Sequence, residues 1–518
     1  MAASWLADAV FYEIYPQSFY DTNGDGIGDI NGITEKLDYV RSLGCNALWL
    51  NPCFDSPFRD AGYDVRDYRR VAPRYGTNED LCRLFDEAHR REMRVILDLV
   101  PGHTSEEHPW FRESQKDEKN DYSQRYIWTD FCFEPAKGLN YVAGESQRSG
   151  VYVLNFFKCQ PALNYGFLHP SEPWQLPTDH PAAIATREAM KDVMRFWLDR
   201  GCDGFRVDMA ESLVKFDDEA KTGTSAIWRD VRAMLDREYP EAALVAEWSH
   251  PRLALGCGFD AAFCLNDPWT GYSTLMRDYD RADPSKPDHS YFRRDGDGDV
   301  RRFLERYLPE YEATKKQGYI SLITCNHDTV RPAWNLTTRE LKLAYAFLFT
   351  MPGLPFLYYG DEIGMRYQPL PTKEGGYFRT GSRTPMQWDA GKNLGFSTGS
   401  ADSLYLPVDP AADAPTVAAQ EADPDSLLYT VRALLALRAE QPMLRQNDNL
   451  EILHAQRGDA FVYRRGGLLL ALNPSGAPAS APVEAAGART LCQIGGGKAA
   501  GGKLVLEPQS FLALELNI

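Results

Sequence analysis

Apolar residues gather in short, nearly unbroken runs through the first two-thirds of the chain. They cover Val10–Tyr15, Ala47–Asn51, Val95–Val100, Gly204–Asp208, Leu244–Glu247, Ala261–Leu265, Ile320–Cys325 and Leu354–Tyr359. A strand buried on both faces reads this way, without the alternation of a half-exposed one. Between the runs the period becomes that of an amphipathic helix, as in Ile33–Leu43 and Glu79–Arg91. Strand and helix alternating around eight runs predict an α/β chain whose parallel sheet closes into a (β/α)8 TIM barrel.

Two intervals break the rhythm. From about Thr104 to Pro170 the helical pattern is lost and Trp, Tyr, Phe, Gly and Asn dominate, over a length too great for a bare loop. After a predicted helix at Ser426–Glu440, short β-type runs (Ala460–Arg464, Leu468–Leu472, Leu504–Leu506) alternate with Gly, Pro and Ala turns. They predict a C-terminal antiparallel β-sandwich over 431–518, with Ser475–Gly487 as a surface loop.

At 518 residues the chain suits a barrel plus a smaller domain. Its net charge of −17 argues against nucleic acid and anionic membranes as partners. The start, Met1-Ala-Ala-Ser-Trp-Leu6, lacks a basic region and an apolar core, and no run is long enough to span a bilayer. Ten Cys are scattered without a Cys-x-x-Cys pair. Cys202, Cys264 and Cys325 fall in or beside predicted strands, so buried free thiols in a reducing cytoplasm are expected. A monomer or weak homo-oligomer is expected.

Three runs deliver a carboxylate near their C-terminal ends: Gly204-Phe-Arg-Val-Asp208, Val245-Ala-Glu-Trp248 and Asn326-His-Asp328. That end of a barrel is its active face, and two carboxylates with a third helper are what glycosidic bond cleavage needs. Arg206, on the same strand face as Asp208, can hold that carboxylate ionised.

On these motifs the chain resembles the α-amylase superfamily, glycoside hydrolase family thirteen, from about Ala9 to its C-terminus. Val95–Ser105 agrees, placing Asp98 and His103, although the family usually has Val-Asn where Pro101-Gly102 stand. The strings Arg383-Thr-Pro-Met-Gln-Trp388 and Gln160-Pro-Ala-Leu-Asn164 are similar to those of the oligo-1,6-glucosidase, α-glucosidase and trehalose synthase group, with Ala162 in place of an Asp. The resemblance implies a barrel over 1–103 and 171–430 with a small inserted domain over 104–170. It implies Asp208 as nucleophile, Glu247 as general acid and base with a raised pKa, and Asp328 as the third acid. Asp60 and Tyr63 would bind and stack on glucose, although Ala61 stands where the family has Asn. His103 and His327, neutral to cationic, would hold hydroxyls. Phe156, Gln160, Asn164 and Arg379 would close a pocket around one glucose, although Thr380 replaces the usual Asp after Arg379. Met209, after the nucleophile, fits neither the Val of α-1,6 nor the small residue of α-1,4 enzymes, so linkage stays open with a lean to α-1,4.

Asp21, Asn23, Asp25, Ile27 and Asp29 put oxygens at alternate positions, and the loop of the relatives binds calcium or magnesium. A structural cation is expected there, and no cofactor for the chemistry. Asp295-Gly-Asp297-Gly-Asp299 reads as a solvated turn. The expected activity is that of a retaining, exo-acting α-glucosidase on small oligosaccharides. A transglycosylating or isomerising relative such as trehalose synthase is the alternative. Thr329-Val-Arg-Pro332 after Asn-His-Asp lacks the Arg-rich loop of sucrose isomerases. The retained acids argue against a non-catalytic barrel.

Overall fold

A computed structural model of the chain describes residues 3–516 apart from 266–268, 284 and 376–377. Eight parallel strands form one sheet: β1 Phe11–Ile14, β2 Ala47–Leu50, β3 Arg94–Leu99, β4 Gly204–Val207, β5 Ala243–Ala246, β6 Ala261–Phe263, β7 Tyr319–Ser321 and β8 Phe356–Tyr358. Each pairs with its neighbour in chain order, and β1 pairs with β8. A parallel bridge from Ile323 to Phe356 closes the ring. Aromatic side chains fill the lumen. The Phe356 ring stacks on Phe11 at 4.3 Å and meets Phe263 edge-on at 4.8 Å, and Trp49 stacks on Phe263 at 5.4 Å. The barrel is therefore a packed core with its chemistry confined to one rim.

All of the strands except β3 and β5 are shorter than the apolar runs that announce them. β7 stops at Ser321, and beyond it the single bridge at Ile323 is the last ladder contact before the irregular segment that carries Asp328. The helix expected over Ile33–Leu43 is two, Ile30–Glu35 and Leu37–Ser42. They break at Lys36, whose ammonium sits 4.1 Å from the Tyr20 ring and 4.4 Å from Trp388. The helix expected at Glu79–Arg91 spans Asn78–Arg90, started by a Thr77/Asp80 capping box.

Between β3 and the helix Pro181–Leu198 the chain forms a hairpin of Tyr141–Ala143 with Val151–Val153. It has its own small core of Ile127, Val151, Val153, Ala162, Phe167 and Trp174. The C-terminal region holds antiparallel sheets of five and three strands packed through Val462, Leu469, Leu504, Leu506 and Leu512. Part of Ser475–Gly487 is not loop: Ala479–Ala481 is a strand of the smaller sheet, with Ala479 and Ala481 turned into that core. All ten cysteines are free thiols. No helix among the described residues is long and apolar enough to cross a membrane.

Candidate active site

Strand periodicity puts Arg206 and Asp208 on one face of β4. The buried Arg206 guanidinium reaches Asp98 Oδ1 at 2.7 Å, Asp208 Oδ1 at 3.2 Å and Glu247 Oε1 at 2.7 Å. One positive charge thus serves three carboxylates from three strand ends. Asp98 also accepts from Trp49 Nε1 and the Tyr63 hydroxyl, both at 3.1 Å, yet burial raises its pKa to about 6. Asp208 is raised well above the ordinary range, by burial first and then by the charge of Glu247, with Arg206 pulling the other way. Arg206 does pull toward the ionised form, as expected, but its guanidinium is shared among three carboxylates and burial outweighs it. Met209 follows with φ 42°, a strained value for a side chain of its size, and its N–H points at Glu247 Oε2, 3.0 Å away.

Asp328 sits in a second charge cluster. Arg383 Nη2 lies 2.7 Å and Arg379 Nη1 3.2 Å from its Oδ1, and His327 Nε2 3.5 Å from its Oδ2. Burial alone would raise its pKa, but its cationic surroundings hold it well below the ordinary range. The arginines supply that charge, because His327 is itself neutral: burial drives its pKa far down. His327 is fixed by Glu13 at 2.8 Å on Nδ1 and the Tyr63 hydroxyl at 2.6 Å on Nε2, with the Tyr63 ring stacked on it at 5.3 Å. His103 is also buried, with a pKa lowered to about 3. Neither histidine is cationic near neutral pH, which narrows the expected neutral-to-cationic pair to neutral donors.

The closed end of the site is an ion-pair wall. Arg379 bonds Asp60 Oδ1 as well as Asp328, and Gln160 Nε2 donates to Asp60 Oδ2 at 2.6 Å. Burial still raises Asp60 to about 6 against the pull of Arg379 and Gln160. A cavity of about 290 Å³ lies over these groups. Asp60, Tyr63, His103, Phe156, Asp208, Met209, Glu247, Asp328 and Arg379 line it. Arg206, Gln160 and His327 do not: each is buried behind the wall, holding a lining residue. Asn164 lies apart, its amide closing a turn through Gly166 N and Gln124 O. The open side is rimmed by Phe156 and Trp269, 39% and 58% exposed.

Sequence reading missed Glu211, His250, Leu265 and Trp269 on the cavity wall, and Glu13, Asn51 and Glu374 behind it. Glu13 carried a signal, as a charged residue inside the buried strand Phe-Tyr-Glu-Ile. His250 and Trp269 carried none, since they stand on irregular segments beyond β5 and β6 that no periodicity describes.

The expected cation loop has suitable donors. Its carboxylates, however, are turned to the loop's own N–H groups: Asp21 accepts from Asn23, Gly24 and Gly26, Asp25 from Ile27, and Asp29 from Thr22 and Gly32. Asp29 thereby caps the helix Ile30–Glu35. No three His, Cys, Asp or Glu side chains converge as metal ligands among the described residues. The expected donors, which also include the Asn23 amide and the Ile27 carbonyl, are of the types that fit a hard cation. In the 295–299 segment, Asp295, Asp297 and Asp299 pair with Arg293, His289 and Arg301.

A family model described as the alpha amylase catalytic domain matches residues 13–447. An oligo-1,6-glucosidase of Heyndrickxia coagulans is 33% identical over 523 residues, covering 89% of this chain and 90% of that protein. The trehalose synthase/amylase TreS of Mycolicibacterium smegmatis is 35% identical over 491 residues, covering 84% of this chain and 76% of that protein. Among solved structures, an inactive double mutant of MutB in complex with isomaltulose superposes with a TM-score of 0.81 at 26% identity, covering 99% of this chain and 100% of that one.

Proposed function

The chain belongs to the α-amylase family of retaining glycoside hydrolases, and from that premise we propose that it is an exo-acting α-glucosidase releasing terminal α-linked glucose from small oligosaccharides or α-glucosides. In this reading Asp208 attacks the anomeric carbon while Glu247 protonates the leaving oxygen. Glu247 then takes a proton from the water that frees the sugar. With one guanidinium for three carboxylates, burial raises Asp98 and Asp208, which supports a cluster able to keep the proton that the first step requires. A ring seated over Asp208, cationic at its transition state, favours ionised Asp208 and leaves that proton on Glu247. Asp328, kept ionised by Arg379 and Arg383, accepts from ring hydroxyls and favours the distorted ring.

The observation that carries the reading is the Arg379–Asp60 pair backed by Gln160. A pocket ending on a hydrogen-bonded ion pair accepts the hydroxyls of a terminal sugar and has no path for a continuing chain. The test is a panel of maltose, isomaltose, trehalose, sucrose, their oligomers and soluble starch, read by product chromatography. Glucose from the small substrates with starch barely touched is expected. Maltodextrins appearing before glucose would overturn it.

The identity to TreS favours a second reading, in which a retained sugar rather than water attacks the intermediate. Trehalose accumulating from maltose faster than glucose would select it. We further propose that the Asp21–Asp29 loop takes a structural calcium or magnesium ion, supported by its donor set. The ten free thiols support work in a reducing cytoplasm.

A further inference from the structure

We infer that Lys215 and Asn155 are positioning residues that fix which ring nitrogen of His103 carries its proton, and so present an Nε2–H donor at the glucose end of the cavity. What that donor meets rests on the glucosidase reading; the donor itself does not.

Lys215 is buried on the segment after β4, and its ammonium is held by two neutral oxygens. It donates to Asn155 Oδ1 and to the Ser212 carbonyl, each at 2.7 Å. An ammonium only donates, so the amide end facing it must be oxygen. The other end, Nδ2, then faces His103 Nδ1 at 3.2 Å. A ring nitrogen facing an N–H donor must be bare. Burial keeps His103 neutral, so its single ring proton is on Nε2. That nitrogen lies 3.2 Å from the Tyr63 carbonyl, and His103 lines the cavity. A lysine that touches no substrate thus sets the place of a proton that a sugar hydroxyl can share.

The amide reaches this place through a departure from the family pattern. Position 102, usually Asn, is Gly here, and a Cβ on Gly102 would come 2.6 Å from Asn155 Nδ2 and 3.0 Å from Ser212 Oγ. Asn155, next to Phe156 in the inserted segment, fills the space that the missing side chain leaves. Its Nδ2 also lies 3.2 Å from Ser212 Oγ and 3.9 Å from Met209 Sδ. One amide therefore ties the inserted segment, the residue after the nucleophile and His103 into one arrangement.

The test combines the ring-proton position with kinetics. With ring-¹⁵N histidine, long-range ¹H–¹⁵N spectra of the free enzyme, assigned by His103→Gln, should show Nε2 protonated and Nδ1 bare. In Asn155→Asp the carboxylate only accepts, so the proton should move to Nδ1. kcat/KM for p-nitrophenyl α-glucoside should then fall about tenfold, mainly through KM, for one lost hydrogen bond. Asn155→Ala should lose a similar factor, and adding Gly102→Asn to it should recover most of the loss by returning an amide from the other side. His103 keeping its Nε2 proton in Asn155→Asp, or Gly102→Asn giving no recovery, would overturn the inference. Should the glucoside prove no substrate while the proton moves as stated, the glucosidase reading fails and the positioning role stands.

Discussion

Replacing Arg379 by Met should separate the closed end of the pocket from the reacting end. The substitution removes a nearly fully buried guanidinium from Asp60 and Asp328 together. Asp328 keeps Arg383 at 2.7 Å and stays ionised. Among the described residues, Asp60 keeps only the Gln160 amide as a side-chain partner. Truncating one partner of a buried pair costs about 3–5 kcal/mol while the other stays charged. Asp60 can escape part of that cost by protonating. Its folded pKa, about 6 with Arg379 present, lies above the ordinary value of 3.8 and should rise further without it. A raised folded pKa contributes stability that is complete below the unfolded pKa and is lost as pH climbs through the folded one. Below about pH 5 Asp60 is largely protonated in both proteins, and the deficit should shrink to the roughly 1–2 kcal/mol of a lost hydrogen bond to Asp328. At pH 8 the wild type keeps a paired carboxylate and the variant does not, so the gap should widen toward the larger figure. Urea unfolding at both pH values reads this directly. Kinetically, kcat/KM for p-nitrophenyl α-glucoside should fall about 100-fold through misplaced substrate, with KM carrying most of it. A stability gap independent of pH, or a loss confined to kcat, would refute the reasoning.

Asp208→Asn should remove several powers of ten in turnover while raising or preserving the melting temperature, since it replaces a buried carboxyl that ionises reluctantly; near-normal turnover of the pure folded variant would end its assignment as nucleophile. The first-formed sugar should retain the α configuration, as NMR of fresh product will show, and a β anomer appearing first would exclude double displacement. Chelation should lower the melting temperature before it touches kcat if the 21–29 loop holds a cation; an unchanged melting curve would leave that loop as a hydrogen-bonded turn. Met209→Val should shift the ratio of α-1,6 to α-1,4 cleavage, because Met209 lines the cavity beside the nucleophile; an unchanged ratio would place the linkage choice elsewhere.

Local rules determined the barrel. Eight apolar runs, each spaced by a helix, admit few other arrangements, and the acids at 208 and 247 each follow directly on the last residue of a strand. The C-terminal sheets were legible for the same reason, although Ala479–Ala481 escaped because alanines carry no strong strand preference. Charge sharing was not legible. Three carboxylates from three strands compete for Arg206, so the proton balance at Asp208 depends on distances that sequence does not contain. Nor could sequence distinguish residues that line the cavity from residues that hold those lining it. Gln160 and His327 carry as clear a motif as Asp60 and Tyr63, yet tertiary packing puts them one layer back. The exchange of an amide between positions 102 and 155 is the sharpest case. Sequence shows the glycine, but only the fold brings Asn155, more than fifty residues later, into the space it leaves. Short-range periodicity fixes which residues face inward, whereas contacts between segments far apart in the chain decide which of them meet and where each proton resides.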